Sequence, residues 1–94
     1  MSVEVRDNPE QRRFEAYVDG ELCGFAEYRL RPGAIVFTHT EVLKEGHGVG
    51  SALARSALDA VRADGELEVV PLCPFIRAWI DKHPDYEDLV RASA

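Results

Sequence analysis

Residues 45–53 read Glu-Gly-His-Gly-Val-Gly-Ser-Ala-Leu, and this stretch narrows the choice of fold more than any other in the chain. An alternating, strand-like run from Ala34 to Val42 leads into it. A helix-like run from Val49 to Asp64 leaves it, with apolar residues at positions 49, 52, 53, 57, 60 and 61, a single stripe at helical spacing. A strand therefore passes into a helix through three alternating glycines, where the backbone can turn tightly and a ligand can approach without meeting a Cβ atom. The first N–H groups of a helix lack intrahelical partners and sit at the positive end of the macrodipole. Such a junction can hold phosphate oxygens with main-chain atoms alone. The competing explanation is that Gly48 and Gly50 only let the helix pack closely against the strand.

Two familiar phosphate motifs do not fit. A dinucleotide fingerprint spaces its glycines G-x-G-x-x-G, whereas Gly46, Gly48 and Gly50 give G-x-G-x-G with no second βαβ half behind them. A Walker A loop ends in Gly-Lys-Ser/Thr, and Gly50-Ser51-Ala52 supplies no lysine.

The remaining elements follow from local signals. Residues 3–6 alternate weakly as a first strand, with Asn8-Pro9-Glu10 as a turn. From Arg13 to Val18 the apolar Phe14, Ala16 and Val18 alternate with Arg13, Glu15 and Tyr17, as in a strand with one buried face. Asp19-Gly20 is a two-residue hairpin signal. Residues 21–30 form the next strand, and Pro32-Gly33 suits a type II turn into Ala34 to Val42. Gly65 is placed to close the helix, residues 66–70 form a fifth strand stopped by Pro71, and the crossover makes that strand parallel to the fourth. Pro74 suits the first position of a second helix with Cys73 as its cap residue and Phe75, Ile76, Trp79 and Ile80 as its buried stripe. Pro84 ends it, and Asp85 caps a last short turn bearing Tyr86, Leu89 and Val90. The expected fold is α/β (α+β): a mixed, mostly antiparallel sheet of four to five strands, two main helices and a short C-terminal helix.

A chain of 94 residues supports one core, hence a single domain over residues 1–94. It has no apolar signal segment and no run long enough to span a membrane. Cys23 and Cys73 are read as free thiols, and the expected location is cytoplasmic. A formal net charge of −6 argues against nucleic acid, suits a cationic acceptor such as an amine, and equally suits plain solubility. No Cys/His/carboxylate group has metal-ligand spacing. Cys23 reads as core and Trp79 as packing.

The loop, together with His39-Thr40-Glu41-Val42 before it and Cys73-Pro74-Phe75 after it, resembles the small, single-domain branch of the GNAT superfamily of acetyl-CoA-dependent N-acetyltransferases. The pyrophosphate loop of that superfamily runs Arg/Gln-x-x-Gly-x-Gly/Ala, and its places fall on Glu45, Gly48 and Gly50. Glu45 departs from the pattern by putting a carboxylate near the expected pyrophosphate. The resemblance implies acetyl-CoA as cofactor, with its pantetheine arm against main-chain groups of Thr40 to Val42. Its diphosphate would lie against Glu45, Gly46, His47, Gly48, Val49, Gly50 and Ser51. Larger members carry two further N-terminal helices that often shape the acceptor site; their absence here implies an open acceptor side.

Catalysis by such a protein needs a group that takes a proton from the acceptor ammonium. Glu41 and His39 are two apart, and strand alternation places them on one face with Ile35 and Phe37. Cys73, at a helix N-terminus, could protonate the departing thiolate or accept the acetyl group itself; cysteine is also often a small buried hydrophobe. The expected activity is acetyl transfer to a small-molecule or peptide amine by a monomer or weak homodimer. The alternative is a CoA- or acyl-CoA-binding module without turnover.

Overall fold

A computed structural model describes residues 2–90 of the chain. Five strands lie in sequence order across one sheet: β1 (Glu4–Asn8), β2 (Arg13–Val18), β3 (Glu21–Arg31), β4 (Ala34–Val42) and β5 (Glu68–Pro71). The first four form an antiparallel meander. Helix α1 (Val49–Asp64) crosses back over the sheet, so that β5 pairs with β4 in parallel. Helix α2 (Pro74–Asp81) and a short 3₁₀ helix (Pro84–Leu89) complete the described chain.

Local chemistry accounts for most of these boundaries. Asp19 and Gly20 both take positive φ, 52° and 80°, which is the turn that matches the twist of a two-residue hairpin. Gly65 closes α1 in the left-handed conformation and donates its N–H to Val61 O. The core lies between the sheet and the helices. Phe37, Leu53, Leu58, Ile76 and Ile80 are fully buried, each worth roughly 1.5–3 kcal/mol relative to exposure. Gly24 on β3 lets α1 come close: a Cβ there would lie 2.7 Å from Val49 Cγ1 and 2.8 Å from Glu41 O.

The structure corrects several expectations. Strand β1 runs to Asn8, so the turn shifts to residues 9–12 and ends with Arg12 at φ 56°. Strand β5 includes Pro71, because Cys73 N rather than a proline nitrogen donates to Phe37 O, at 2.8 Å. His83, not Asp85, is the residue that opens the last helix. Glu15 lies on the sheet face away from α1 yet is only 5% exposed. Its carboxylate accepts hydrogen bonds from Arg13 Nε (2.7 Å), Tyr17 OH (2.7 Å) and Asn8 Nδ2 (3.1 Å).

The correction that matters most for function is in β4. Tyr28 pairs with Phe37 and Glu27 with His39, so Thr38 has no opposite residue and forms a β-bulge. The alternation therefore changes phase. Ile35 and Phe37 face the core, but so do Thr40 and Val42, which pair with Ala26 and Gly24. His39 and Glu41 point to the opposite face, beside Glu27 and Phe25, and not to the face of Ile35 and Phe37 as strict alternation requires.

Candidate functional site

The bulge coincides with a split in the sheet. Pairing of β4 with β5 ends at Phe37 and Pro71, whereas pairing of β4 with β3 continues to Val42. Residues 38–42 of β4 thus border a divergence, bridged by the Thr40 and Cys73 side chains, where β5 turns away into α2. Cys73 sits at its apex, 2% exposed, with its N–H on Phe37 O and its sulfur 3.3 Å from Thr40 Oγ1. Ligands in open α/β sheets bind beyond the carboxyl ends of strands at such divergences.

The N-terminus of α1 faces the same region. Gly48 precedes the helix at φ 69°, no side chain caps it, and its first turn contains no acidic residue. The positive end of the dipole is therefore uncompensated within the helix. A Cβ on Gly48 would meet nothing within 4 Å, so the glycine serves conformation and not space. Gly48→Ala should lower stability by about 1 kcal/mol, the usual penalty of a left-handed L-residue. A thermal melt should register a fall of roughly 4–8 °C; an unchanged midpoint would mean that the left-handed turn is not needed.

Gly50 has the other purpose. Its Cβ would lie 2.8 Å from Phe75 Cζ, so the Phe75 ring rests on the first turn of α1. Phe75 was expected inside the α2 stripe; it is 40% exposed and lies over the glycine loop. Ser51 is exposed, and its Oγ accepts the Trp79 indole N–H at 3.0 Å, leaving its hydroxyl hydrogen free to donate. Trp79 is itself fixed by stacking on His83 at 3.8 Å and by Arg55 over its ring. Sequence reasoning missed both braces, because neither the Phe75–Gly50 nor the Trp79–Ser51 pairing has a local pattern. Glu45 and Gly46 are exposed and His47 half-buried.

His39 and Glu41 form a pair of their own, Nε2 to Oε1 at 3.2 Å, with about half of each side chain exposed. The Phe25 ring meets the imidazole edge-on at 6.3 Å. Glu41 can accept a proton-bearing Nε2, which leaves Nδ1 of that tautomer able to take a proton from an amine. The sequence-selected residues thus fall into two groups. Thr40, Val42 and Cys73 lie on the helix side of the sheet beneath the glycine loop, and His39 and Glu41 lie on the open side.

Comparison with known proteins bears on the fold and the family. Residues 13–89 match the family model of the GCN5-related N-acetyl-transferases. A GCN5-like protein from Staphylococcus aureus superposes with a TM-score of 0.71 at 22% identity, covering 94% of this chain and 87% of that one. The ribosomal-protein-alanine N-acetyltransferase of Brucella melitensis biovar Abortus 2308 superposes with a TM-score of 0.58 at 26% identity, over 85% of this chain. The chain spans 62% of that enzyme's length. A search among curated proteins returned no match. With a strand–glycine loop–helix junction, a parallel crossover strand and a sheet that splits at a bulge, all inside the matched span, the chain belongs to the GCN5-related N-acetyltransferase family.

Proposed function

We propose that the protein binds acetyl-CoA in the β4–β5 split and transfers the acetyl group to an amine. The observation that carries this reading is the coincidence of the split with the uncapped N-terminus of α1. The residues fit the cofactor. Amides of residues 46–51 suit the diphosphate, the Ser51 hydroxyl can add a donor, and β4 beyond Phe37 offers main-chain groups from Thr40 to Val42 to an extended arm. Two contacts must yield on binding: the Phe75 ring over Gly50 and the Thr40–Cys73 hydrogen bond. Both involve side chains, so the backbone can stay in place.

Bound acetyl-CoA would supply an activated acetyl thioester. On the protein side, His39 Nδ1 takes the proton from the acceptor ammonium while Glu41 holds the opposite ring nitrogen. Cys73 presents a thiol at the apex that, once released from Thr40 Oγ1, can donate a proton or act as a nucleophile. Glu45 adds a negative charge beside the diphosphate site, which both this reading and the second, a CoA-binding module without turnover, must accommodate.

Calorimetric titration tests binding: heat and a thermal shift are expected, and neither appearing at millimolar acetyl-CoA would end both readings. For turnover, amine-dependent CoA release should fall about 100-fold in Glu41→Gln or His39→Gln, with acetyl-CoA affinity preserved. Rates unchanged in these variants and in Cys73→Ala would remove the catalytic assignments.

A further inference from the structure

Strand β2 stops short of the β3–β4 hairpin. Its pairing with β3 ends at Arg13 and Glu27, and Tyr28 N donates to Arg12 O at 2.9 Å. Residues 29–31 of β3 then continue with β4 on one side only. Two adjoining hollows of about 200 and 390 Å³ fill the step, sharing Arg12, Tyr28 and Arg29 as walls. Arg31 lines the outer hollow, and Glu27 and Thr38 line the inner one.

The charges here are unusual for a chain of net charge −6. Elsewhere among the described residues, Arg6, Arg13, Lys44, Arg62 and Arg77 each meet a carboxylate and Arg55 is held by Tyr86, while the Lys82 ammonium also lacks a partner. Among the described residues, Arg12, Arg29 and Arg31 have no ion pair, hydrogen bond or ring partner from their side chains, and neither does the Glu27 carboxylate. Three unneutralised guanidiniums around one hollow attract an anion, and guanidinium forks match carboxylate and phosphate geometry. Arg12 also stands at φ 56°, where glycine would be the easier residue, which indicates that its side chain is what the position requires.

The inner end of the groove has the opposite character. Glu27 is the cross-strand partner of His39, on the face that also carries Glu41. Along β3 the outward residues Glu27, Arg29 and Arg31 follow at intervals of roughly 7 Å. The groove is therefore bipolar, with the Glu27 carboxylate at its inner end and arginines at the other, and with His39 and Glu41 beyond the hollow on the same face.

We infer that the groove binds the acceptor, and that the acceptor is an amine bearing a carboxylate or phosphate. Its ammonium lies toward Glu27, His39 and Glu41, and its acidic group lies among Arg12, Arg29 and Arg31. This rests on the acetyl-transfer reading, and it adds to the amine acceptor an acidic group that net charge alone gives no reason to expect.

Two measurements on the full chain test it, the first independent of turnover. Amide NMR titration with inorganic phosphate should shift residues 9–12 and 28–31 with a saturating, low-millimolar curve. Arg29→Gln/Arg31→Gln should weaken it at least 10-fold. Arg12→Gly should lose phosphate affinity while its melting temperature holds or rises, an outcome a merely structural Arg12 would not produce. Diffuse shifts, or affinity unchanged in the variants, would overturn the site. The second compares γ-aminobutyrate with butylamine as acceptors: kcat/KM should favour the aminocarboxylate at least 10-fold. That preference should vanish in the double variant through KM, with acetyl-CoA affinity intact. A preference that is absent, or that survives the double variant, refutes the acceptor assignment. If phosphate occupies the groove but neither amine is acetylated and acetyl-CoA does not bind, the acceptor assignment falls with the transferase reading and the anion site alone stands.

Discussion

Gly24→Ala is expected to destabilise the protein by about 1–3 kcal/mol, the range for overpacking a filled core. The upper part of that range applies, because one of the two close neighbours is backbone. The new methyl would lie 2.8 Å from Glu41 O and 2.7 Å from Val49 Cγ1, with Leu53 Cδ1 at 3.4 Å. Val49 is 2% exposed and Leu53 fully buried, so neither can swing away into solvent. Relief of the Glu41 O contact requires β4 to shift against β3, and relief of the Val49 contact requires the first turn of α1, which borders the proposed diphosphate site, to move off the sheet. A melt lowered by roughly 8–20 °C, together with weaker acetyl-CoA binding, is the expected pair of results. A melting temperature within 2 °C (roughly 0.5 kcal/mol) of the parent would show that the close approach of β3 and α1 is not rigid.

Glu15→Ala should cost about 3 kcal/mol, since it strips three donors of a shared buried acceptor and leaves Arg13 without its carboxylate. The same residue predicts an acid limb in the stability curve. Burial alone would raise the Glu15 carboxyl, but hydrogen bonds from Tyr17, Arg13 and Asn8 outweigh it and hold it below the ordinary value of 4.5. In the unfolded chain the carboxyl binds its proton first as pH falls. The stabilisation is therefore fully present above about pH 4.5 and is lost as pH drops through the lower, folded value. Denaturant titrations from pH 7 to pH 3 should show this loss in the parent. They should show a flatter limb in Glu15→Gln, which keeps the shape but not the charge. An equally steep limb in Glu15→Gln would assign the acid sensitivity to other carboxylates.

Much of the fold is legible because its signals are local. The hairpin at Asp19-Gly20, the end of α1 at Gly65 and the start of α2 at Pro74 each depend on the φ that one or two residues can adopt. Strand β4 and helix α1 have the boundaries their periodicity implies, but the buried face of α1 takes in Ala54 and Leu58, which the expected stripe lacked, and leaves Ala60, which it contained, exposed. Phe75 shows where local reading fails: a helical stripe says which side is apolar but not whether a neighbouring helix covers its first turn. Glu15 fails for the same reason, since alternation assigns it a face without revealing that Asn8, Arg13 and Tyr17 close over it.

The site divides in the same way. The glycine loop, the cysteine at the head of α2 and the polar end of β4 were marked by residue type and spacing. Their arrangement depends on Thr38, an extra residue in β4 visible only against the register of β3, which sends His39 and Glu41 to the open face and leaves Thr40 with Cys73. The arginine groove depends on long-range geometry too, because Arg12 meets Arg29 and Arg31 only where β2 stops short. Sequence alone determined the order of elements and the chemistry available at each bend, since those follow from single-residue conformations and short-range periodicity. Tertiary structure decided which side of the sheet each reactive group occupies and which charges stay unpaired, since register and strand length are settled by contacts between residues far apart in the chain.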